Sequence, residues 1–219
     1  MFKAVIWDMD GLLLDSERIS NESWLMACAS LEVEIDENVF RSIIGMNSRT
    51  SRATLERQIS DEVDLELLIS TANEIYRERV AAGIPLKPGA RASIEWLDQA
   101  DIPQSVATST QHSLAKKKLG DHDLVQHFHP IVGGDQVEHG KPNPEIFLTA
   151  ARQMEIEPAD CIIFEDSRHG LAAASASGAR PILVPDLAIH DEESESQAWE
   201  IWDSLENGPL KFEEWLLRA

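Results

Sequence analysis

The sequence predicts an α/β fold in which a parallel sheet carries an all-helical segment inserted after its first strand. Three observations predict it. Short apolar runs without alternation recur along the chain, the pattern of strands buried on both faces. Helical patterns lie between most of these runs, which implies a parallel sheet with right-handed crossovers. Residues 16 to 83 read as helix after helix, with no convincing strand among them.

The expected strands are Ala4 to Trp7, Gln104 to Ala107, Pro130 to Val132, Cys161 to Phe164 and Pro181 to Val184. Between Arg91 and Gln99, Ile94 and Leu97 stand three apart and Ala92 and Trp96 four apart, as on a helix. From Pro144 to Met154, a proline near the start precedes Ile146, Phe147, Ala150 and Ala151 at helical spacing. The alanine-rich stretch from Arg168 to Ser177 ends at Gly178, a C-cap residue. In the inserted segment, Trp24, Leu25 and Ala29 form one expected stripe, and Leu65, Leu68 and Ile69 another. Ile84-Pro85-Leu86-Lys87-Pro88-Gly89 breaks the pattern. The linkers are therefore placed near Leu13 to Ser16 and Ile84 to Pro88.

A chain of 219 residues, 43% hydrophobic and 26% charged, has the composition of a soluble globular protein. It is long enough to bury a core without a disulfide or metal staple. Cys28 and Cys161 lie far apart in apolar segments and read as buried free thiols in a reducing compartment. The net charge of −20 argues against nucleic acid as a partner, because a phosphate backbone would be repelled. A small anionic substrate stays possible, since local cations and a metal reverse the field within a cleft. The acidic run Asp191 to Glu195 reads as a solvated loop. The apolar run before Asp8 is too short for a signal peptide, and no stretch approaches the roughly 18 residues of a membrane helix. The expectation is a cytoplasmic protein with no membrane or protein partner.

Functional groups of parallel sheets collect past the carboxyl ends of the strands. Asp8-Met9-Asp10-Gly11 follows the first expected strand, Thr108-Ser109-Thr110 the second, Lys141-Pro142-Asn143-Pro144 the third across a loop, and Glu165-Asp166-Ser167 the fourth. Carboxylates, hydroxyls and one lysine at a single sheet edge suit phosphoryl transfer. Asp8 and Asp166 can supply carboxylate oxygens to Mg²⁺, a hard cation. Gly11 permits a turn that lets Asp10 face the same centre as general acid and base. Thr108 or Ser109 would hold phosphate oxygens, and Lys141 would neutralise charge on phosphate and nucleophile. Each piece also has a bland reading: an Asp-x-Asp is a common surface pair, a Thr-Ser-Thr a helix cap, a lone lysine a solvated cation. Their conjunction, each beyond an apolar strand, favours the functional one.

On these motifs the chain resembles the haloacid dehalogenase-like phosphatase superfamily, in the branch of beta-phosphoglucomutase-like enzymes. Asp8-Met9-Asp10-Gly11 matches the first motif, Thr108 the second, Lys141 the third and Glu165-Asp166 the fourth. The resemblance implies a Rossmann-like catalytic core of residues 1–15 and 86–219 and a helical cap of residues 16–85. It implies Asp8 as nucleophile and metal ligand, and Asp10 as acid/base with its carbonyl on Mg²⁺. It also implies Thr108 and Lys141 on the phosphate and Asp166 as a further metal ligand, with Glu165 a direct or water-mediated one. The stretches Asp8 to Arg18 and His139 to Phe147 are also similar to pseudouridine-5'-phosphate phosphatases and suit sugar-phosphate phosphatases. The expected partner is a small phosphorylated metabolite, read in the cap by Glu17 and Arg49 with Asn47 and Trp24 behind them.

The rivals are weaker. A dehalogenase lacks the second acid that Asp10 supplies. Gly134 to Lys141 misses P-loop spacing by one residue and has Pro142 where a hydroxyl should bind magnesium. A non-catalytic phospho-aspartate signalling module is usually shorter and lacks a cap. A phosphomutase is the nearest alternative. Beta-phosphoglucomutases carry a cap histidine where this chain, aligned without a gap from Asp8, has Ser20. Hydrolysis is therefore expected over mutase chemistry.

Overall fold

The computed structural model describes residues 2–217. Six parallel strands form one sheet: β1 (Ala4–Trp7), β2 (Gln104–Ala107), β3 (Ile131–Val132), β4 (Cys161–Glu165), β5 (Arg180–Leu183) and β6 (Glu200–Ile201). Their order is β3-β2-β1-β4-β5-β6, the doubly wound arrangement of a Rossmann-like fold. The order reverses at β1, which pairs with β2 on one side and β4 on the other. Five strands stand where the apolar runs predict them. The sixth is a two-residue edge strand, half-buried at Glu200 and exposed at Ile201. Such an edge needs no apolar run, so the sequence pattern does not announce it.

The absence of alternation in the strands follows from two buried faces. Val5, Trp7, Ile162 and Phe164 point into one apolar cluster, with Ile94 and Leu97 of a covering helix. Ala4, Ile6, Cys161 and Ile163 point into another, with Ile146, Phe147, Ala150 and Ala151. Trp7 stacks on Phe164 at 4.7 Å between ring centroids, and its indole N–H donates to the Gln104 side chain at 3.0 Å, so the buried polar tip is satisfied.

Among the described residues there are ten α-helices: α1 (Ser16–Ser30), α2 (Glu37–Arg41), α3 (Ser48–Gln58), α4 (Leu65–Val80), α5 (Ala90–Gln99), α6 (His112–Gly120), α7 (Glu145–Gln153), α8 (Arg168–Ala176), α9 (Glu192–Glu195) and α10 (Gly208–Phe212). Helices α1 to α4 have a core of their own, built from Ala27, Cys28, Phe40, Leu55, Leu68 and Ala72. The expected stripe on α1 is only partly present. Trp24 packs against this core, but Leu25 and Ala29 are exposed, and Ile19, Ala27 and Cys28 take the buried positions. On α4, Leu68 is buried and Leu65 and Ile69 pack beside it, as the spacing predicts. The acidic run is a correction in shape only. Its four acidic side chains are exposed, but Ser194 is buried and Asp191 caps α9 through a reciprocal bond pair with it, which turns the expected loop into one helical turn.

The two linkers run side by side. The Asp15 N–H donates to the Pro85 carbonyl at 2.8 Å, and the Lys87 N–H to the Leu13 carbonyl at 2.9 Å. The inserted helices thus leave and rejoin the sheet through one short antiparallel ladder. Among the described residues, no helix is long and apolar enough to cross a membrane.

Candidate active site

Asp8 is the residue after β1, at the reversal of strand order, and its N–H donates to the Phe164 carbonyl at 3.0 Å. That bond extends the sheet by one residue and fixes the backbone of Asp8 beside the end of β4. Glu165 ends β4 and Asp166 follows it, so three carboxylates meet there, all buried. Lys141, 1% exposed, reaches beneath them from the turn before α7. Its ammonium donates to both Asp8 and Glu165 and lies over the Phe147 ring, 4.9 Å from the centroid. Burial works against the charge of Lys141, but Asp8 and Glu165 outweigh it and hold the lysine charged above its ordinary value. Burial pushes Asp8 up to about 7, with Lys141 opposing and Glu165 adding to the rise. Burial and then Glu165 raise Asp166 well above the carboxylate range.

The two oxygens of Glu165 are engaged by the protein. Oε1 accepts from Lys141, while Oε2 accepts from the N–H groups of Asp166 at 3.0 Å and Ser167 at 3.1 Å and from the Ser167 hydroxyl. Asp166 Oδ2 is different: it is buried and has no hydrogen-bond partner.

Asp10 turns away from Asp8. Gly11 has φ +87°, and a Cβ on it would stand 2.2 Å from Asp166 Oδ2, so both conformation and space demand glycine. The turn brings the Asp10 carboxylate into a cradle of donors: Ser16 Oγ at 2.7 Å, Thr110 Oγ1 at 2.6 Å and Lys118 Nζ at 2.6 Å, with Thr108 Oγ1 at 3.4 Å. Burial alone would push the Asp10 carboxyl up, but Lys118 and the hydroxyl donors outweigh it and hold the carboxyl below its ordinary value. Lys118, from the last turn of α6, is the residue that sequence reasoning missed. The signal was present as Lys116-Lys117-Lys118, yet only helical phase decides which of the three turns inward. Lys118 also lies 5.8 Å from the centroid of the Tyr76 ring on α4.

A cleft of about 330 Å³ opens over Asp8 and Asp10 and is walled by the inserted helices. It gathers Asp8, Asp10, Thr108, Ser109, Glu17 and Trp24 from the predicted set, together with Ser20 of α1. Burial and the nearby Asp10 push Glu17 up to about 8. Ser109 does not point freely at the cleft, because its hydroxyl donates to the Gly45 carbonyl at 2.9 Å. The structure does not bring Arg49 to the cleft: it is exposed on the first turn of α3, outside the lining. Asn47 caps that helix by accepting from the Thr50 N–H at 2.9 Å. Trp24 is held by stacking on Phe40. The P-loop alternative finds no support, since Gly134–Gln136 is a single 3₁₀ turn and the next helix starts only at Glu145, beyond Lys141.

The donor set fits a hard divalent cation. Asp8, Glu165 and Asp166 each bring a carboxylate oxygen within 4.8 Å of the others. Asp166 Oδ2 lacks any protein partner. Oxygen-only donors of this kind suit Mg²⁺ rather than a softer metal.

A carboxylate cluster gripped by a buried lysine at the switch point of a parallel sheet, with a second aspartate turned into a hydroxyl cradle, defines a class. A model of the haloacid dehalogenase-like hydrolase family matches residues 5–184, and the chain belongs to that family. Among its relatives, the phosphorylated carbohydrates phosphatase of Thermotoga maritima is 32% identical over 86% of this chain and 88% of its own. The (DL)-glycerol-3-phosphatase 2 of Arabidopsis thaliana is 32% identical over 96% of this chain and 90% of its own. The crystal structure of a hydrolase from Pseudomonas syringae superposes with a TM-score of 0.80 at 26% identity, covering 97% of this chain and 98% of that one.

Proposed function

We propose that this hydrolase is a Mg²⁺-dependent phosphatase that cleaves a small phosphate monoester, a sugar phosphate or nucleoside-type phosphate, through an aspartyl-phosphate on Asp8. The observation that carries the reading is the placement of two aspartates, one residue apart, in different surroundings at one cleft. Asp8 sits within the carboxylate cluster against Lys141, and Asp10 sits in a cradle of hydroxyls and Lys118. One carboxylate is thereby positioned to attack and the other to move a proton. The phosphatase class has the support of two relatives, each named for phosphatase activity and 32% identical.

In this mechanism Asp8 attacks phosphorus and the ester oxygen leaves. Asp10 gives that oxygen a proton, then takes one from the water that attacks the aspartyl-phosphate. Thr108 and Lys141 bind the phosphate oxygens, Lys141 by charge, and Ser109 contributes through its backbone N–H, since its hydroxyl donates to the Gly45 carbonyl. Asp8, Asp166 and the Asp10 carbonyl would hold Mg²⁺, and Glu165 fixes Lys141 and the Asp166 backbone. The bound cation supplies positive charge that offsets the anionic carboxylates and phosphate. Helices α1 to α4 act as a cap that excludes bulk water. Ser20 lines the cleft where a mutase-like histidine is expected, which favours water as acceptor over a second sugar hydroxyl.

Turnover of p-nitrophenyl phosphate with Mg²⁺ tests the class, and metal-dependent release of phosphate is expected. Incubation with beta-glucose 1-phosphate and a trace of the bisphosphate tests the outcome. Glucose 6-phosphate appearing much faster than free phosphate would reassign the chain as a mutase.

A further inference from the structure

The cleft holds a charge inventory that bears on the leaving group. Among its lining residues, three carry carboxyl groups, Asp8, Asp10 and Glu17, and Lys118 is the single cationic side chain. Lys118 is already paired with Asp10 at 2.6 Å. Lys141 is buried under Asp8 and committed to two carboxylates. Arg49, the arginine nearest in sequence to the lining residue Ser48, is exposed and outside the cleft. A second anionic group on the substrate would therefore enter a partly buried space without a free cation, facing carboxyl groups. An anion buried without a partner is strongly disfavoured.

What the far wall does offer is hydrogen bonding and one apolar face. Ser20 and Glu17 from α1, Ser48 from α3, Asn73 from α4 and Gln111 before α6 present hydroxyl, carboxyl and amide groups. Trp24, stacked on Phe40 at 5.0 Å with 10° between the planes, is a rigid apolar panel beside them. Several convergent polar groups around one fixed aromatic suit a ligand with many hydroxyls and a hydrocarbon face. The volume of about 330 Å³ lies at the small end of the range for ligand pockets.

We infer that the site takes substrates with a single phosphate on an uncharged, polyhydroxylated leaving group of sugar or polyol size, and discriminates against a second phosphate or a carboxylate. The inference rests on the phosphatase reading above and narrows its substrate class. The shape of the cleft supplies the preference, and the lack of a free cation supplies the exclusion.

The test is a wild-type panel at fixed Mg²⁺, with p-nitrophenyl phosphate as the class control. Neutral-tail substrates are glucose 6-phosphate, fructose 1-phosphate, mannitol 1-phosphate and glycerol 3-phosphate. Anionic-tail substrates are fructose 1,6-bisphosphate, 3-phosphoglycerate and phosphoglycolate. The expected result is a kcat/KM for the best neutral-tail substrate at least about tenfold above every anionic-tail one, which is about 1.4 kcal/mol of discrimination. If the control turns over and an anionic-tail substrate matches or exceeds the neutral ones, the inference falls and the phosphatase reading stands. Turnover of the control with none of the neutral-tail substrates overturns it equally. No turnover of the control or of any panel member removes the phosphatase reading, and the inference with it.

Discussion

Asp8 and Asp10 are separated by one residue, yet their carboxyls meet different neighbours. Asp8 faces Lys141 in a buried cluster, whereas Asp10, turned by Gly11, faces Ser16, Thr110 and Lys118. Asp8→Asn keeps the size and removes the nucleophilic charge, so turnover should be abolished while circular dichroism shows the fold intact. Wild-type turnover in that variant would move the nucleophile elsewhere. Asp10→Asn should lower kcat by about 10²–10⁴, the usual worth of general acid–base catalysis. Lys118 is the positioning residue of this pair. Lys118→Met leaves Asp10 free to swing within the cradle, and misplacement of that order costs about 10²-fold. The loss should fall on kcat more than on KM, and Lys118→Arg should restore part of it because a cation again reaches Asp10. A loss in KM alone, or none, would show that the Lys118 contact is merely structural.

At the scale of elements, the strands and the inserted helices obey different rules. A strand of a doubly covered parallel sheet is buried on both faces and mostly apolar, which makes it readable as a run. Four of the five expected runs are followed, directly or across a loop, by a group proposed for the site. The helical insertion is harder, because a half-buried helix is defined by phase. On α1 the predicted stripe takes in Leu25 and Ala29, which face solvent, while Ala27 and Cys28 are buried. Leu68, fully buried on α4, anchors the insertion's own core. Leu68→Ala should therefore cost about 2–5 kcal/mol, read as a lower midpoint in urea unfolding. A change below about 1 kcal/mol would mean that this cluster contributes little to the fold. The same burial governs the thiols. Burial pushes Cys161 up to about 12, so its thiolate is scarce and its native reactivity low. A thiol-specific reagent should label Cys161 only on unfolding, and rapid native labelling would contradict its burial.

At the scale of the molecule, a net charge of −20 surrounds a site whose proposed substrate is an anion. The buried cluster of Asp8, Glu165 and Asp166 adds local repulsion that Lys141 alone offsets only in part. A divalent cation there should stabilise the folded chain as well as activate it. At a concentration 100 times its Kd, the gain is about 2.7 kcal/mol. After EDTA treatment, Mg²⁺ should raise Tm by several degrees and restore turnover, while an equal ionic strength of NaCl should do neither. Asp166→Asn should abolish the Mg²⁺-dependent part of the shift. Full activity in verified metal-free protein, or an unchanged Mg²⁺ shift in Asp166→Asn, would displace the cation from this cluster.

The sequence by itself determined the alternation of strand and helix and the chemical inventory past each strand. Those features are local: apolar runs, proline and glycine breaks, and acids or hydroxyls at fixed offsets from them. The tertiary structure alone decided that Lys118 grips Asp10, that Glu165 is spent on Lys141 and two backbone N–H groups, and that Arg49 stays outside the cleft. It also decided the edge strand β6, whose two residues owe their conformation to β5 rather than to their own pattern. The physical reason is common to all four. Helical phase, side-chain reach and pairing between separate segments depend on what packs alongside, and that information is distributed over the whole fold.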